Sequence, residues 1–422
     1  MRYPFVAFIG FALFTLLTDY FLVKNLQKSF PGNKRTIYSF PTGEFWHYFC
    51  SVSFIILFLT AWYFVKDATS YRDYIFFMWL LMTYLIIYVP KLFYLLFYGI
   101  GSFIFFIMNR ISGGKKKRKM NDGRYPRISR KKFLSQAGII FASAPFISLL
   151  FGAFKGRFAF DIIRTRIPFT NLPSSFNGLK IVQISDLHLG SFNSNHEQIE
   201  KVVDMINNEK PDIICFTGDL VNNFHEETIG WDGIFKRLHA PMGKFSILGN
   251  HDYGDYTKWS SKEEKIANFE GILDAHDRFG FKLLNNESVI LSKNGDNIAI
   301  AGVENWGHPP FPQYGDLKKA SANLEDVPFK ILLSHDPDHW DAEVRKTGLF
   351  SLTLSGHTHG MQLGFRYKNF QWSPAKYKFR RWAGLYNEGK QHLYVNRGLG
   401  YLGMPARVGM PPEITVIELH SV

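Results

Sequence analysis

Long apolar segments near the start of the chain constrain its fold more than any other feature. Residues 4–23, 45–65, 74–108 and 134–154 form four candidate spans, and each reaches the roughly 20 apolar residues that a helix needs to cross a bilayer. The composition changes sharply near residue 155. The sequence therefore predicts an α-helical membrane region, residues 1–155, followed by an α/β domain, residues 156–422.

The third apolar segment is longer than one span requires, and it leaves two topologies open. It forms either one tilted helix that continues past the membrane or two short helices broken at Pro90-Lys91, because proline removes a backbone donor and kinks a helix. One helix puts the α/β domain outside the cytoplasm, with the basic loops at 24–44 and 110–132 facing inward. Two helices put the domain in the cytoplasm.

Most of the net charge of +13 lies in the loop at 110–132. This loop holds eleven Lys and Arg residues against Asp122 alone, which is +10 of the total. A basic run between apolar segments is typical of a cytoplasmic loop, so no nucleic-acid partner is expected. Ser129-Arg130-Lys131-Lys132-Phe133-Leu134 also resembles a twin-arginine export signal with Lys in place of the second Arg. The basic flank of an ordinary helix explains the same residues.

After residue 160, short β-rich runs alternate with helical stretches. The predicted buried strands are 180–185, 212–217, 244–248, 329–333 and 350–354, and the predicted amphipathic helices are 196–208 and 263–279. Roughly 260 residues are ample for a large hydrophobic core. This alternation predicts an α/β domain.

Each of the five predicted strands ends in polar residues that are able to bind metal. They are Asp186-Leu187-His188, Gly218-Asp219, Gly249-Asn250-His251-Asp252, Ser334-His335 and Gly356-His357-Thr358-His359. Open α/β sheets place their ligand sites at the carboxyl ends of strands, so the five segments point to one site. Residues two apart in an extended segment project to the same side, and a carboxylate such as Asp219 is able to bridge two metals.

The order of these segments resembles the signature of the calcineurin-like metallophosphoesterases, and most closely their membrane-associated bacterial YkuE/YaeI-like branch. The resemblance covers roughly residues 160–420 and includes the C-terminal blocks at 394–400 and 411–415. It implies a four-layer αββα sandwich. One position departs from the branch, because Gly360-Met361-Gln362 stands where Gly-Gly-Gln is common. That departure bears on the shape of the pocket and leaves the metal ligands intact.

The resemblance also implies a dinuclear metal site. One divalent ion is expected at Asp186, His188 and His359, a second at Asn250, His335 and His357, with Asp219 bridging both. Oxygen and imidazole ligands without cysteine suit manganese, iron, zinc or magnesium. A water that bridges the two ions would be the nucleophile in the hydrolysis of a phosphoester or pyrophosphate.

Two further residues carry predicted catalytic roles. His251, beside the ligand Asn250, is expected to protonate the leaving oxygen or to stabilise the transition-state phosphate as a cation. Asp252 is a candidate for orienting His251, and a carboxylate that caps a turn is the alternative. Arg397 and Arg407 are candidate contacts to the substrate phosphate. Asn305, Trp306 and His308 follow a strand and are candidates for lining the pocket.

The insertion at 365–382 is rich in aromatic and basic residues, which are common at membrane interfaces. We therefore expect this segment to contact the bilayer and the substrate to be lipid-linked, for example a phospholipid. A surface hairpin that covers the core is the alternative. Two other functions stay open: a non-catalytic membrane receptor or transport component, and a cytoplasmic enzyme acting on a nucleotide-linked lipid precursor. Nothing in the sequence fixes the oligomeric state.

Overall fold

The computed structural model describes residues 4–30, 41–65, 70–111, 128–192, 195–307, 312–368 and 370–422. The chain divides into two compact units. The first comprises Met1–Lys66 and Phe76–Phe151, and the second comprises Asp67–Ile75 and Gly152–Val422. The basic loop predicted at 110–132 falls largely outside the described residues, which resume at residue 128.

The first unit consists of four long helices, two of which extend a few residues beyond its limits. They are α1 (Pro4–Ser29), α2 (Pro41–Val65), α3 (Tyr71–Ile111) and α4 (Arg130–Phe154). All four are long and apolar enough to cross a membrane. Helix α3 continues through Pro90 for 41 residues. Of the two alternatives, the structure therefore has the single long helix and not two short ones.

A buried ion pair lies inside the helical unit. Lys91 Nζ is 2.6 Å from Asp19 Oδ1, and Asp19 is fully buried. The other carboxylate oxygen of Asp19 accepts hydrogen bonds from Ser51 and, at 2.9 Å, from the Tyr88 hydroxyl. Helices α1, α2 and α3 are thus joined by one polar contact, and both oxygens of the carboxylate have partners within the chain.

The second unit holds the remaining elements. Its helices are α5 (His196–Asn208), α6 (Asp232–Phe235), α7 (Lys262–Arg278), α8 (Leu317–Ala320) and α9 (Arg345–Thr347). Its strands are β1 (Asp161–Phe169), β2 (Lys180–Ile184), β3 (Ile213–Phe216), β4 (Lys244–Ser246), β5 (Lys282–Leu283), β6 (Glu287–Lys293), β7 (Asp296–Gly302), β8 (Phe329–Leu333), β9 (Leu352–Ser355), β10 (Phe365–Tyr367), β11 (Phe370–Trp372), β12 (Gly384–Glu388), β13 (Gln391–Val395) and β14 (Glu413–Ser421).

Two six-stranded mixed sheets stack face to face in this unit. Their strand orders are β1-β14-β2-β3-β4-β5 and β12-β13-β9-β8-β7-β6. One core between them joins residues such as Ile181 and Cys215 of the first sheet to Ile331 and Leu354 of the second. Two further cores lie on the outer faces, where α5 and α7 cover the first sheet and the segments around Leu317 and Trp340 cover the second. This is the four-layer αββα arrangement that the sequence motifs implied.

The strand pairing brings the predicted site residues together. In the first sheet β2, β3 and β4 are parallel neighbours, and in the second sheet β8 and β9 are. Parallel neighbours end on the same edge, so the loops that follow these five strands meet. The predicted limits of the five strands and of the two amphipathic helices in this unit agree with the structure to within two residues.

Candidate dinuclear metal centre

The backbone around the site is unusual for residues with side chains. Five site residues have positive φ angles, which non-glycine residues rarely adopt: Asp186 (50°), His188 (46°), Asp219 (58°), His357 (73°) and His359 (50°). Such conformations cost free energy and collect at functional sites, where the surrounding fold imposes them. The sharp bends turn each side chain inward directly after its strand ends.

A first set of ligand atoms comes from Asp186, His188, Asp219 and His359, all buried and within 4.8 Å of one another. His359 Nε2 lies 3.2 Å from Asp186 Oδ1 and 3.1 Å from His188 Nε2. His188 Nε2 lies 3.6 Å from Asp219 Oδ2. Two carboxylates and two imidazoles therefore face one point.

A second set is formed by Asp219, His335 and His357. The side-chain oxygen of Asn250 joins it, at 3.1 Å from His335 Nε2 and 2.8 Å from His357 Nδ1. His335 Nε2 is 3.2 Å from Asp219 Oδ2, the same oxygen that faces His188 in the first set. All seven predicted ligands thus lie in two adjacent sets that share Asp219.

The donor chemistry of both sets fits divalent cations. Burial by itself would raise the pKa of Asp186 and Asp219, but the facing imidazoles hold both pKa values below their usual range. In turn, burial opposes charge on His335, yet Asp219 raises the pKa of that imidazole to about 10. The cluster requires positive charge beside Asp219, and a divalent ion supplies it without a proton. Carboxylate, amide and imidazole ligands suit manganese, iron, zinc and magnesium.

Hydrogen bonds outside the cluster fix which ring nitrogen faces the centre. His335 Nδ1 lies 2.7 Å from the Thr217 carbonyl, so this nitrogen must carry the proton and Nε2 is left for a metal. The backbone N–H of His357 donates to both carboxylate oxygens of Asp186, at 3.0 and 3.1 Å. The ligand orientations are therefore built into the fold.

His251 lies beside the ligands but belongs to neither ligand set in the described part of the chain. Its ring centroid is 5.0 Å from that of His188. Its Nδ1 donates to the Asn222 carbonyl at 2.7 Å, which leaves Nε2 to exchange a proton with a bound molecule. Burial lowers the pKa of His251. Asn222, which no sequence motif singled out, is thus the residue that orients His251.

An orienting role for Asp252 requires a hydrogen bond to the His251 ring, but the partners of its carboxylate are backbone N–H groups. Its carboxylate accepts hydrogen bonds from four backbone N–H groups, those of Asp219, Leu220, Val221 and Gly249, at 2.8–3.2 Å. Burial and the nearby Asp219 raise the pKa of Asp252 to about 7. These bonds match the turn-capping alternative, because Asp252 ties the loop after β3 to the loop after β4.

Arg397 and Arg407 are buried behind the cluster, with 2% and 1% of their surface exposed. Arg397 pairs with Glu413. Arg407 donates to the Gly400 carbonyl at 2.6 Å and lies 3.3 Å from His359 Nδ1, and burial lowers its pKa to about 9. Neither residue is among the described residues that line the cavities at the centre. Their geometry supports the ligand loops, and direct contact with substrate phosphate stays a prediction.

Two cavities open onto the centre, of about 360 and 590 Å³. Their shared wall consists of Asn250, Tyr256, His357, Lys378 and Phe379. Of the predicted pocket residues, Asn305 lines the smaller cavity, whereas Trp306 stacks on His339 at 5.4 Å. His308 lies outside the described residues.

Tyr256 is a site residue that the sequence motifs did not reveal. Its ring stacks on His251 with centroids 4.3 Å apart and an interplanar angle of 17°. Its hydroxyl lies 2.7 Å from Asn250 Nδ2, and since the amide nitrogen can only donate, Asn250 Oδ1 must face His335 and His357. Tyr256 lies six residues after Asn250, outside the motif, so no spacing pointed to it.

The aromatic insertion divides into an exposed part and a buried part. Strands β10 and β11 form a hairpin whose Phe365, Tyr367 and Phe370 are 55%, 62% and 60% exposed. Phe379 and Trp382 are buried in a small core of their own. The hairpin offers an exposed apolar surface and the following segment covers the site, so contact with the bilayer stays a prediction for the hairpin alone.

Two family descriptions match the chain. Residues 179–361 match the calcineurin-like phosphoesterases. Residues 1–157 match a probable transmembrane domain of calcineurin-like phosphoesterases. The two matches fall on the α/β part and the helical part of the chain.

Three relatives illustrate the similarity. The uncharacterized metallophosphoesterase YkuE of Bacillus subtilis is 36% identical over 259 residues, which cover 59% of this chain and 82% of the relative. The UDP-2,3-diacylglucosamine pyrophosphatase LpxG of Chlamydia trachomatis is 32% identical over 304 residues, with 59% and 86% covered. A transmembrane protein with metallophosphoesterase domain from Danio rerio is 29% identical over 268 residues, with 62% and 57% covered.

These similarities confirm the family that the five motifs predicted. A relative that is 36% identical across most of its own length has the same fold and the same class of chemistry, and calcineurin-like phosphoesterases use two divalent metal ions. The chain therefore belongs to the calcineurin-like phosphoesterases, as a membrane-embedded, metal-dependent member of that family.

Proposed function

We propose that this protein is a membrane-anchored phosphohydrolase that uses two divalent ions to cleave a phosphoester or pyrophosphate bond in a lipid-linked substrate. The observation that carries this proposal is the shared Asp219 oxygen, which faces His188 of one ligand set and His335 of the other. Bound together, two ions polarise the phosphoryl group and lower the pKa of a water molecule, so that no nucleophilic side chain is needed.

The side chains then have distinct tasks. Asp186, His188 and His359 would hold one ion and Asn250, His335 and His357 the other, with Asp219 shared by the two ligand sets. His251 holds a proton at Nε2 and gives it to the leaving oxygen, because Nδ1 is committed to the Asn222 carbonyl. A receptor has no use for such a proton donor, and the family is one of enzymes.

Three observations support a lipid-linked substrate. The larger cavity is lined partly by Met361, Leu363 and Leu402, which suit an apolar chain. The hairpin β10–β11 exposes three aromatic rings. The relative from Chlamydia trachomatis is by its name a pyrophosphatase of a diacylated nucleotide sugar. A phosphate ester with an apolar chain agrees with all three.

We also propose that residues 156–422 form the catalytic domain, that residues 1–155 form the membrane region, and that the catalytic domain faces away from the cytoplasm. The single long helix α3 supports this orientation, because α2 and α3 then make two crossings between the basic loops at 24–44 and 110–132, and both loops lie on the cytoplasmic side. Helix α4 then makes the one crossing that leads to the domain. A reporter enzyme fused to the C-terminus tests the orientation. Activity of the reporter in the cytoplasm alone would contradict it.

Hydrolysis of bis-p-nitrophenyl phosphate by the full chain in detergent, with manganese added, tests the chemistry. Asp219→Asn and His251→Ala should each lower kcat by about 10²-fold or more, because one removes the shared ligand and the other the proton donor. Full turnover in both variants would reject the catalytic assignment. Metal content distinguishes them, since only Asp219→Asn should lose bound metal.

The hairpin has a separate test. Phe365→Ser/Tyr367→Ser/Phe370→Ser should lower hydrolysis of a lipid phosphodiester in vesicles by about tenfold and leave bis-p-nitrophenyl phosphate hydrolysis unchanged, because each exposed ring contributes apolar area at the interface. Tyr377→Ser, which also alters an exposed tyrosine, is the matched control. Equal loss on both substrates would contradict contact with the lipid.

A further inference from the structure

The two cavities at the metal centre differ in what they offer to a substrate. Besides the shared wall, the smaller one is lined by Asn305, Gly307, Asp336 and Asp338. The larger one adds Asp219, His251 and His359 of the centre, and with them an apolar wall of Met361, Leu363, Pro374, Leu402 and Met404. The smaller cavity thus adds two carboxylates and an amide, whereas the larger one adds an apolar wall, together with Thr358 and Gln362, and contains the proton donor.

The position of the proton donor determines which part of a substrate leaves. In an in-line displacement, water attacks phosphorus on one side and the leaving oxygen departs on the other, where it needs a proton. Among the described residues, His251 lines the larger cavity and not the smaller one. The group that leaves must therefore occupy the larger cavity, which has the apolar wall.

Resting on the function proposed above, we infer that this enzyme cuts the bond between phosphorus and the oxygen of the apolar part of its substrate. A bond forms between the water oxygen and phosphorus, and the bond from phosphorus to the lipid-side oxygen breaks. That oxygen keeps the electron pair and takes the proton of His251. A proton released by the attacking water then restores the protonated His251. The products are a lipid alcohol, or a lipid phosphate if the substrate is a pyrophosphate, and a phosphorylated polar group.

The smaller cavity restricts the polar group that keeps the phosphate. Asp336 and Asp338 present carboxylates, which only accept hydrogen bonds, and Asn305 adds an amide. Lys378 of the shared wall adds a cation to the same cavity. A lining of carboxylates, an amide and an ammonium group suits a polar, hydroxyl-bearing group.

Hydrolysis of hexadecyl glyceryl phosphodiester in water enriched in ¹⁸O, with the full chain in mixed micelles, tests the site of cleavage. We expect hexadecanol and glycerol phosphate that carries the ¹⁸O. Glycerol is the slightly better leaving group in solution, so this outcome reflects the site. Glycerol and ¹⁸O-labelled hexadecyl phosphate would overturn the inference. Turnover of bis-p-nitrophenyl phosphate without turnover of the lipid diester would also overturn it, while loss of both would reject the proposed function itself.

A substitution in the apolar wall gives an independent test. Leu402→Asn should lower kcat/KM for the hexadecyl diester about tenfold and change hydrolysis of the butyl analogue by less than twofold, since only the long chain reaches that wall. Leu385→Asn, which alters an exposed leucine of β12 away from both cavities, is the control. Equal losses with the hexadecyl and butyl diesters would contradict an apolar leaving group in this cavity.

Discussion

Two buried clusters of charged side chains in this protein differ in where their neutralising partners come from. In the helical unit, Asp19 is neutralised by Lys91 at 2.6 Å and accepts hydrogen bonds from two hydroxyl groups. In the α/β unit, Asp186 and Asp219 face imidazole nitrogens, and these ligand atoms converge on two points. Hydrogen bonds among the ligand atoms do not satisfy all of them, since two imidazole nitrogens face each other directly. The first cluster is complete within the chain, and the second is completed by metal ions.

The cluster in the helical unit is a structural contact, whereas the cluster in the α/β unit is a chemical site. Buried charges inside a membrane bundle often indicate function, yet a fully paired charge serves to hold helices together. The α/β unit differs in a second way, because the backbone at Asp186 and Asp219 has positive φ angles that cost free energy. These strained conformations orient the ligand side chains. We therefore expect metal removal to disable only the second cluster.

The largest expected effect is that of metal removal. Treatment of the full chain with a chelator should lower bis-p-nitrophenyl phosphate hydrolysis by about 10³-fold or more, because bound ions supply several kcal/mol of transition-state stabilisation. Added manganese should restore activity. The unfolding temperature of the α/β unit should fall as well, since ions that bind only the native state stabilise it. Full activity of a metal-free sample would contradict the dinuclear centre.

Loss of the Asp252 carboxylate should be the most destabilising single change at the metal centre. Asp252→Ala leaves four buried N–H groups without an acceptor, and we expect it to cost about 4 kcal/mol and to lower the unfolding temperature by about 10 °C. Asp252→Asn keeps one acceptor and should lose about half as much. Calorimetry measures both. If instead Asp252 orients His251, the variants would lose activity without losing stability.

Breaking the helical cluster should cost less. Lys91→Met leaves Asp19 buried without its cation, and we expect a loss of about 2 kcal/mol, because Lys91 is partly exposed. The double variant Asp19→Asn/Lys91→Met should recover most of that stability. Metal content should not change in either protein. A Lys91→Met protein that binds less metal would show that the two clusters are coupled.

Tyr256 offers a smaller and more specific effect. Tyr256→Phe keeps the ring on His251 but removes the hydroxyl that fixes the Asn250 amide, so the affinity for the ion expected at Asn250, His335 and His357 should fall about tenfold. Titration of activity with manganese measures this shift. Excess manganese should restore kcat, which a damaged fold would not allow. Tyr377→Phe, on an exposed ring, is the matched control.

The last effect appears only at acid pH and concerns a buried histidine outside both clusters. Burial lowers the pKa of His276 to about 3, while the unfolded chain has a pKa near 6.5. Below pH 6.5 the unfolded state binds the extra proton, so stability is complete above that pH and falls by at most about 1.4 kcal/mol per unit as the pH drops toward 3. His276→Gln should flatten that slope between pH 6 and 4 in thermal unfolding experiments. An unchanged slope would assign the acid sensitivity to other groups.

Features that depend on nearby residues were predictable from the sequence. Apolar length determined the four helices, and alternation determined the strands, because both follow from the repeat of a single element. The ligand motifs were readable for the same reason: each ligand directly follows its strand. Asp186, Asp219 and His357 lie where those motifs indicated.

The tertiary structure decided the features that depend on contacts between distant segments. Asp252 caps a loop more than 30 residues away in the sequence. Arg407 contacts His359, which lies 48 residues before it, and the Asn222 carbonyl orients His251. The single helix through Pro90 and the two unlike cavities also emerged only from packing. The physical reason is that a motif fixes which atoms bind metal, whereas the partners of a side chain depend on which loops the folded sheets bring together.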